Sequence, residues 1–152
     1  MKDILKSIII IFYPDEILIH PNVKTVDGMW MGKGISIILK KDVNNDEFYE
    51  SIIKMFNESI KNVPHPKNFS ESSKIFFNGI GKKSNKKYME NAKLISIKMY
   101  NDCYEIIPTK NGGIKGDDRG FTPLNEKNKK MDLEIGKNKF VEEVYSAIED
   151  CV

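Results

Sequence analysis

Histidine, cysteine, tryptophan and net charge are all scarce in this chain of 152 residues. It has two histidines, two cysteines and one tryptophan, and 24 Lys and Arg against 22 Asp and Glu leave a net charge of +2. His20, His65, Cys103 and Cys151 show no short spacing among them, which matches no zinc pattern. No metal and no cofactor are therefore expected. Two thiols far apart do not make a disulfide framework, so reduced core thiols are expected. No serine sits in a G-x-S-x-G elbow. The run Gly112-Gly113-Ile114-Lys115-Gly116 lacks the Gly-Lys-Ser/Thr ending of a phosphate loop. The charge balance is too weak to argue for nucleic acid. No apolar run approaches the roughly 20 residues of a membrane span. The short run Ser7–Tyr13 lacks the cleavage site of a signal peptide. These absences lead to the expectation of a cytoplasmic protein that is not an enzyme and touches no membrane.

What is present is ordinary globular material. A hydrophobic content of 40% with 8 Phe and 6 Tyr supplies enough apolar surface to fold, and the length suits one domain over residues 1–152. Ile8–Phe12 is a β-branched run stopped by Pro14 and reads as a buried strand. Ile17–His20 reads as a second strand, halted by Pro21. Val23–Val26, the turn Asp27-Gly28 and Met29–Met31 suggest a hairpin, followed by a strand at Gly34–Leu39. Residues 45–60 are the clearest helix. Asn44 and Glu47 have the spacing of a capping box, and Phe48, Ile52, Met55 and Phe56 share one face.

Beyond Pro66 the pattern weakens. Residues 67–83 are poorly patterned, and Ile75–Phe77 could form a strand. Ser84 suits the cap of a short helix through Ala92. Leu94–Tyr100 and Tyr104–Ile107 read as a hairpin across Asn101-Asp102, with Pro108 as its stop. Lys110–Gly120 is a glycine-rich loop, Met131–Ile135 a strand, and Asn138 the cap of a last helix. The two strong helices match at an offset of 92 residues: Phe48 falls on Phe140, Ile52 on Val144, Phe56 on Ile148 and Ile60 on Val152. Each follows a strand, with the connecting loop four residues longer in the first copy. This suggests a duplicated strand–turn–helix unit, although any two amphipathic helices in phase would also match. The fold class expected is α+β: a mainly antiparallel or mixed sheet of about six strands, two principal amphipathic helices and one short helix.

Several residues bear on function. His20 and His65 form the chain's one histidine pair, the set a small nuclease would need; solvated loop histidines are the blander reading. The basic segment Gly81-Lys82-Lys83-Ser84-Asn85-Lys86-Lys87-Tyr88 could track a phosphate backbone with Tyr88 for stacking, or be a solvated helix start. Trp30, among glycines, reads as a core anchor, with an exposed hot spot as the alternative. Gly116-Asp117-Asp118-Arg119-Gly120-Phe121 places two carboxylates, a guanidinium and an aromatic ring on a glycine-hinged loop, a composition met at binding surfaces, although an ordinary polar turn is the blander reading.

The second half resembles a known family. Gly81-Lys82-Lys83-Ser84, a short helix with Asn91 near its end, the strand Ile95–Met99, Ile106-Ile107-Pro108-Thr109 and the close Ala147-Ile148-Glu149-Asp150-Cys151 are similar to contact-dependent growth inhibition immunity proteins of the CdiI type. The resemblance covers about two thirds of the chain. It implies a cytoplasmic antidote that binds one cognate toxin domain, with a nuclease as the expected toxin, and needs no catalytic residue or cofactor. A small RNA-binding module using Lys82–Tyr88 is the alternative. A nuclease toxin must be basic enough to hold RNA, so carboxylates on its blocker speed encounter. The expected toxin-binding residues are therefore Asp117, Asp118, Arg119 and Phe121, with Glu142 and Glu143 as a second contributor.

Overall fold

The run Ile8-Ile9-Ile10-Ile11-Phe12 is too β-branched to favour a helix, and both of its faces are apolar. In the computed structural model, which describes residues 3–152, it lies in strand β1 (Lys6–Phe12) at the centre of an eight-stranded sheet. Residues 1 and 2 of the expected single domain lie outside the described residues. Next come β2 (Glu16–Lys24), β3 (Trp30–Gly32), β4 (Ile37–Lys40) and helix α1 (Asn45–Asn57). Helices α2 (Phe69–Ile80) and α3 (Asn85–Met89) lead to β5 (Lys93–Met99), β6 (Cys103–Asn111), β7 (Phe121–Pro123), β8 (Lys129–Asp132) and α4 (Lys137–Asp150). The order is β3-β2-β1-β5-β6-β7, with β4 also on β2 and β8 also on β6, and every ladder is antiparallel. The α+β class is as expected, with eight strands rather than six.

The alternation of β1 separates two cores. Ile8, Ile10 and Phe12 face α1 and α4 in the larger one, with Phe48, Ile52, Phe56, Phe140 and Val144. Ile9 and Ile11 face the other way, toward Leu18, Ile80, Phe76, Phe77 and Tyr88 under α2 and α3. Phe48 and Phe140 are 0% and 1% exposed, and both belong to a web of edge-on rings: Phe12 lies 6.1 Å from Phe48, and Tyr104 5.2 Å from Phe140. Asn44 caps α1 by accepting from the Glu47 N–H at 2.8 Å. α4 begins after Gly136 with no side-chain cap, so Asn138 lies inside the helix.

The helix echo extends over the whole sheet. β2 maps onto β6 at an offset of 87 (103 − 16), β3 onto β7 at 91 (121 − 30), and β4 onto β8 at 92 (129 − 37). The registers agree: Ile8 faces Pro21 as Ile95 faces Pro108, and Glu16 faces Lys40 as Cys103 faces Asp132. After α1, Ile60 O accepts from Lys24 N at 3.0 Å; after α4, Val152 O accepts from Asn111 N at 2.8 Å. The chain is thus two β-β-β-β-α units paired through β1 and β5. Strand-to-helix connections are equal, residues 41–44 and 133–136, because β4 and β8 are displaced from the expected strands. The extra length lies instead in the β6–β7 loop, residues 112–120, against 25–29.

The symmetry also explains why Pro21 and Pro108 do not end their strands. Pro21 O accepts from Lys33 N at 3.0 Å, and Pro108 O from Leu124 N at 2.9 Å. Within a strand the N–H and C=O of a residue point to the same side. Each missing N–H therefore falls where β2 passes from β4 to β3, or β6 from β8 to β7, and no ladder bond is lost.

Residues 61–92 are the inserted part without a counterpart in the second unit. Residues 69–80 form a helix, not the strand expected at Ile75–Phe77. Asn68 accepts from Glu71 N at 3.1 Å, and Gly81 closes the helix at φ 71°. The helix packs by backbone approach: a Cβ on Gly79 would lie 1.7 Å from Gly34 O, and one on Gly34 would lie 2.8 Å from Ile75 O. Only Ile80 is fully buried on it, although its apolar residues are as one-sided as those of α1 and α4.

Candidate functional site

The β6–β7 loop is built on Asn111. Its Nδ2 donates to Met89 O (2.7 Å) and Ala92 O (3.0 Å), and its Oδ1 accepts from Gly113 N (2.9 Å). Gly112 N donates to Gly120 O and Gly120 N to Gly113 O, both at 2.8 Å. Gly112 has no room for a side chain, because Asp118 O would lie 1.5 Å from its Cβ. The closed loop leaves Asp117, Asp118 and Arg119 exposed. Neither aspartate has an ion-pair partner among the described residues, while the Arg119 Nη1 donates to Gly116 O at 3.1 Å. Phe121 turns inward, half-buried, with its ring 6.2 Å from that of Tyr88.

Glu142 and Glu143 lie elsewhere. The loop meets α4 through its C-terminal end, where Val152 bonds Asn111. Glu142 is nine residues before Cys151, about 14 Å along the helix at 1.5 Å per residue. Both carboxylates are also engaged: Lys139 reaches Glu142 at 3.4 Å and Glu143 at 3.5 Å, and Lys129 reaches Glu143 at 3.6 Å. The structure groups Asp117, Asp118 and Arg119 and sets the helix carboxylates apart from them.

The basic segment is divided: Lys83, Lys86 and Lys87 are exposed, while Lys82 and Tyr88 are engaged within the protein. Lys82 pairs with Glu16 at 2.8 Å, its ammonium 4.0 Å from the centre of the Tyr13 ring. Lys87 pairs with Glu90 at 3.1 Å. Tyr88 is packed among Phe76, Phe77 and Phe121, and its hydroxyl meets His20 Nε2 at 2.9 Å. The ring is half-buried with three other rings packed against it, which disfavours the stacking expected of Tyr88.

His20 is no loop histidine. It lies inside β2, 2% exposed, and burial lowers its pKa to about 4 despite a bond from Nδ1 to Pro21 O. His65 is exposed and pairs with Asp27 at 2.9 Å; Asp27 is held below the usual carboxylate range, first by the Thr25 hydroxyl and then by His65. The two histidines belong to separate environments and share no site. Trp30 is half-buried at an edge of the sheet, not a core anchor. Cys103 and Cys151 form no disulfide; Cys151 is buried, which raises its thiol pKa, and Cys103 is half-buried. Among the described residues no group of His, Cys, Asp and Glu is placed to hold a metal, and no helix is long and apolar enough to cross a membrane.

One surface escaped the sequence reading. A groove of about 400 Å³ runs between β3, the 63–68 segment and α2, lined by Met31, Pro64, Pro66, Ile75 and Phe76. Ile75 is 64% exposed, and Phe69 at the start of α2 is 57% exposed. The signals for α2 were Asn68 with Glu71 three residues on and Gly81 after the last turn. Phe76 reaches both the groove and Tyr88, so a continuous row of rings runs from the groove to Phe121.

Comparison with known proteins follows the fold. The sequence matches no protein-family model and no curated protein. Among solved structures, a protein of unknown function, NMB0488 from Neisseria meningitidis, superposes with a TM-score of 0.76 at 14% identity, over 97% of this chain and 95% of that one. A chain of the CdiA-CT/CdiI toxin and immunity complex from Yersinia pseudotuberculosis superposes with a TM-score of 0.73 at 13% identity, over 99% of this chain and 100% of that one. At these identities the likeness is one of fold, and it spans both units and the insertion.

Proposed function

We propose that this chain is an immunity protein of the CdiI type, which neutralises a cognate toxin domain by binding it. The observation that carries the reading is the full-length likeness to a chain of a toxin and immunity complex. The surface agrees with a binding role. Exposed Asp117 and Asp118 offer unpaired charge to a basic toxin and speed encounter. Phe121 faces the core, so the apolar contact that gives tight binding comes from Phe69 and Ile75 on the same side of the sheet. In this reading the protein performs no chemistry, works in the cytoplasm, needs no cofactor, and blocks a nuclease. The RNA-binding alternative is weakened by the packing of the half-buried Tyr88 ring and the pairing of Lys82.

The test is growth. The C-terminal domain of the protein encoded immediately upstream is expressed in a sensitive bacterium, with and without this chain. Arrest relieved only by this chain supports immunity. Arrest that this chain leaves untouched refutes it.

A further inference from the structure

We infer that His20 and Tyr88 form a proton-sensitive latch that holds the inserted α2–α3 layer on the sheet. Tyr88 is the hub of that layer. Its hydroxyl meets His20 Nε2 at 2.9 Å, its backbone oxygen accepts from the Tyr13 hydroxyl at 2.6 Å, and its ring touches Phe76, Phe77 and Phe121. The tautomer that satisfies every group has Nδ1–H donating to Pro21 O and Nε2 accepting from Tyr88. That arrangement requires a neutral ring.

The internal symmetry shows that the fold itself does not require a histidine here. The equivalent of His20 at the offset of 87 is Ile107, 6% exposed, in the same place before Pro108 as His20 is before Pro21. The histidine occurs in the unit that carries the insertion, and it bonds to the insertion. The groups facing the ring offer no counter-charge. Opposite it on β1 is Ile9, α2 presents Phe76, and α3 presents the Tyr88 phenol with the Tyr13 phenol behind it. Glu16 lies four residues away along β2, about 13 Å, and is engaged by Lys82.

A proton arriving from solvent on Nε2 removes the acceptor that Tyr88 uses, forces the phenol to turn its hydrogen elsewhere, and leaves a buried cation without a counter-charge. The layer above has weak means of resisting: only Ile80 of α2 is fully buried. Opening the layer hydrates the ring, whereas α1 and α4 pack on the opposite face and do not touch it. Acid therefore favours the open layer. With the ring at its ordinary pKa of 6.5 when open and about 4 when closed, opening is favoured about 25-fold more at pH 5.0 than at pH 7.5.

The test is amide hydrogen exchange on the whole chain at both pH values, corrected for intrinsic exchange rates. Protection of residues 69–89 is expected to fall about 25-fold at pH 5.0, with α1 and α4 unchanged, and His20→Ile and His20→Gln each to abolish the difference. Should His20→Ile fail to fold, His20→Gln decides alone. Tyr88→Phe is expected to lower protection of the layer at pH 7.5. No pH dependence in residues 69–89, an equal fall in α1 and α4, persistence of the difference in His20→Gln, or unchanged protection in Tyr88→Phe would each overturn the latch.

Discussion

Gly79→Ala sets two effects of opposite sign against each other. In an exposed helix, replacing glycine by alanine stabilises by up to about 1 kcal/mol. Gly79 lies in the last turn of α2, but its added Cβ would stand 1.7 Å from Gly34 O, with Gly34 C at 2.3 Å. Both contacts are with backbone, so no side chain can rotate away. To reach even 3.0 Å, α2 and the 33–36 segment must separate by about 1.3 Å. Such overpacking costs typically 1–3 kcal/mol and sometimes more, and the separation also strains the bond from Ser36 Oγ to Gly79 O at 3.2 Å. Because both contacts are with backbone the cost falls in the upper part of that range, about 2–3 kcal/mol, so the clash wins and the net loss is about 1–2 kcal/mol. At roughly 2–4 °C per kcal/mol for a chain of this size, the melting temperature falls by about 2–8 °C. Ser73→Ala, on the exposed side of α2, is the control and should melt at or slightly above wild type. The assay is thermal unfolding by circular dichroism. A Gly79→Ala protein that melts as high as wild type would refute the backbone packing of α2.

Two further outcomes follow from the fold and surface. Phe48→Ala and Phe140→Ala occupy equivalent sites in the two units and should each cost about 3–5 kcal/mol in urea unfolding; a difference between them above about 2 kcal/mol would contradict the equivalence. The double change Asp117→Ala/Asp118→Ala should slow association with the toxin domain at least tenfold at low salt, with an unchanged melting temperature, because neither carboxylate has an ion-pair partner among the described residues. Surface plasmon resonance gives the rate, and a change under threefold would remove the loop from the interface.

The parts of the fold written in local chemistry could be read directly. Asn44 and Glu47 announced α1, the isoleucine run announced β1, and Phe48 and Phe140 in phase pointed to the duplication. What stayed hidden depended on partners distant in sequence. Pro21 and Pro108 look like strand breakers until one sees that each missing N–H falls at a change of partner. α2 has little buried surface of its own, and its docking rests on Gly34 and Gly79, 45 residues apart (79 − 34). His20 looked like a loop histidine because Pro21 seemed to end its strand. The loop residues Asp117–Arg119 stood out by composition, whereas the groove needed the packing of α2 on β3 to exist at all.

The claim at the centre of this account is that the chain works by tight binding to a toxin domain. Isothermal titration of this chain with the C-terminal domain of the upstream-encoded protein, at 50 and 200 mM NaCl, tests it most directly. The predicted result is a one-to-one complex with a dissociation constant of about 10 nM or tighter, weakened less than tenfold by the added salt. A nucleic-acid site of six phosphate contacts would lose about 10³-fold over the same range. Absence of binding at micromolar concentrations, with tight and steeply salt-dependent binding of RNA in its place, would contradict the account.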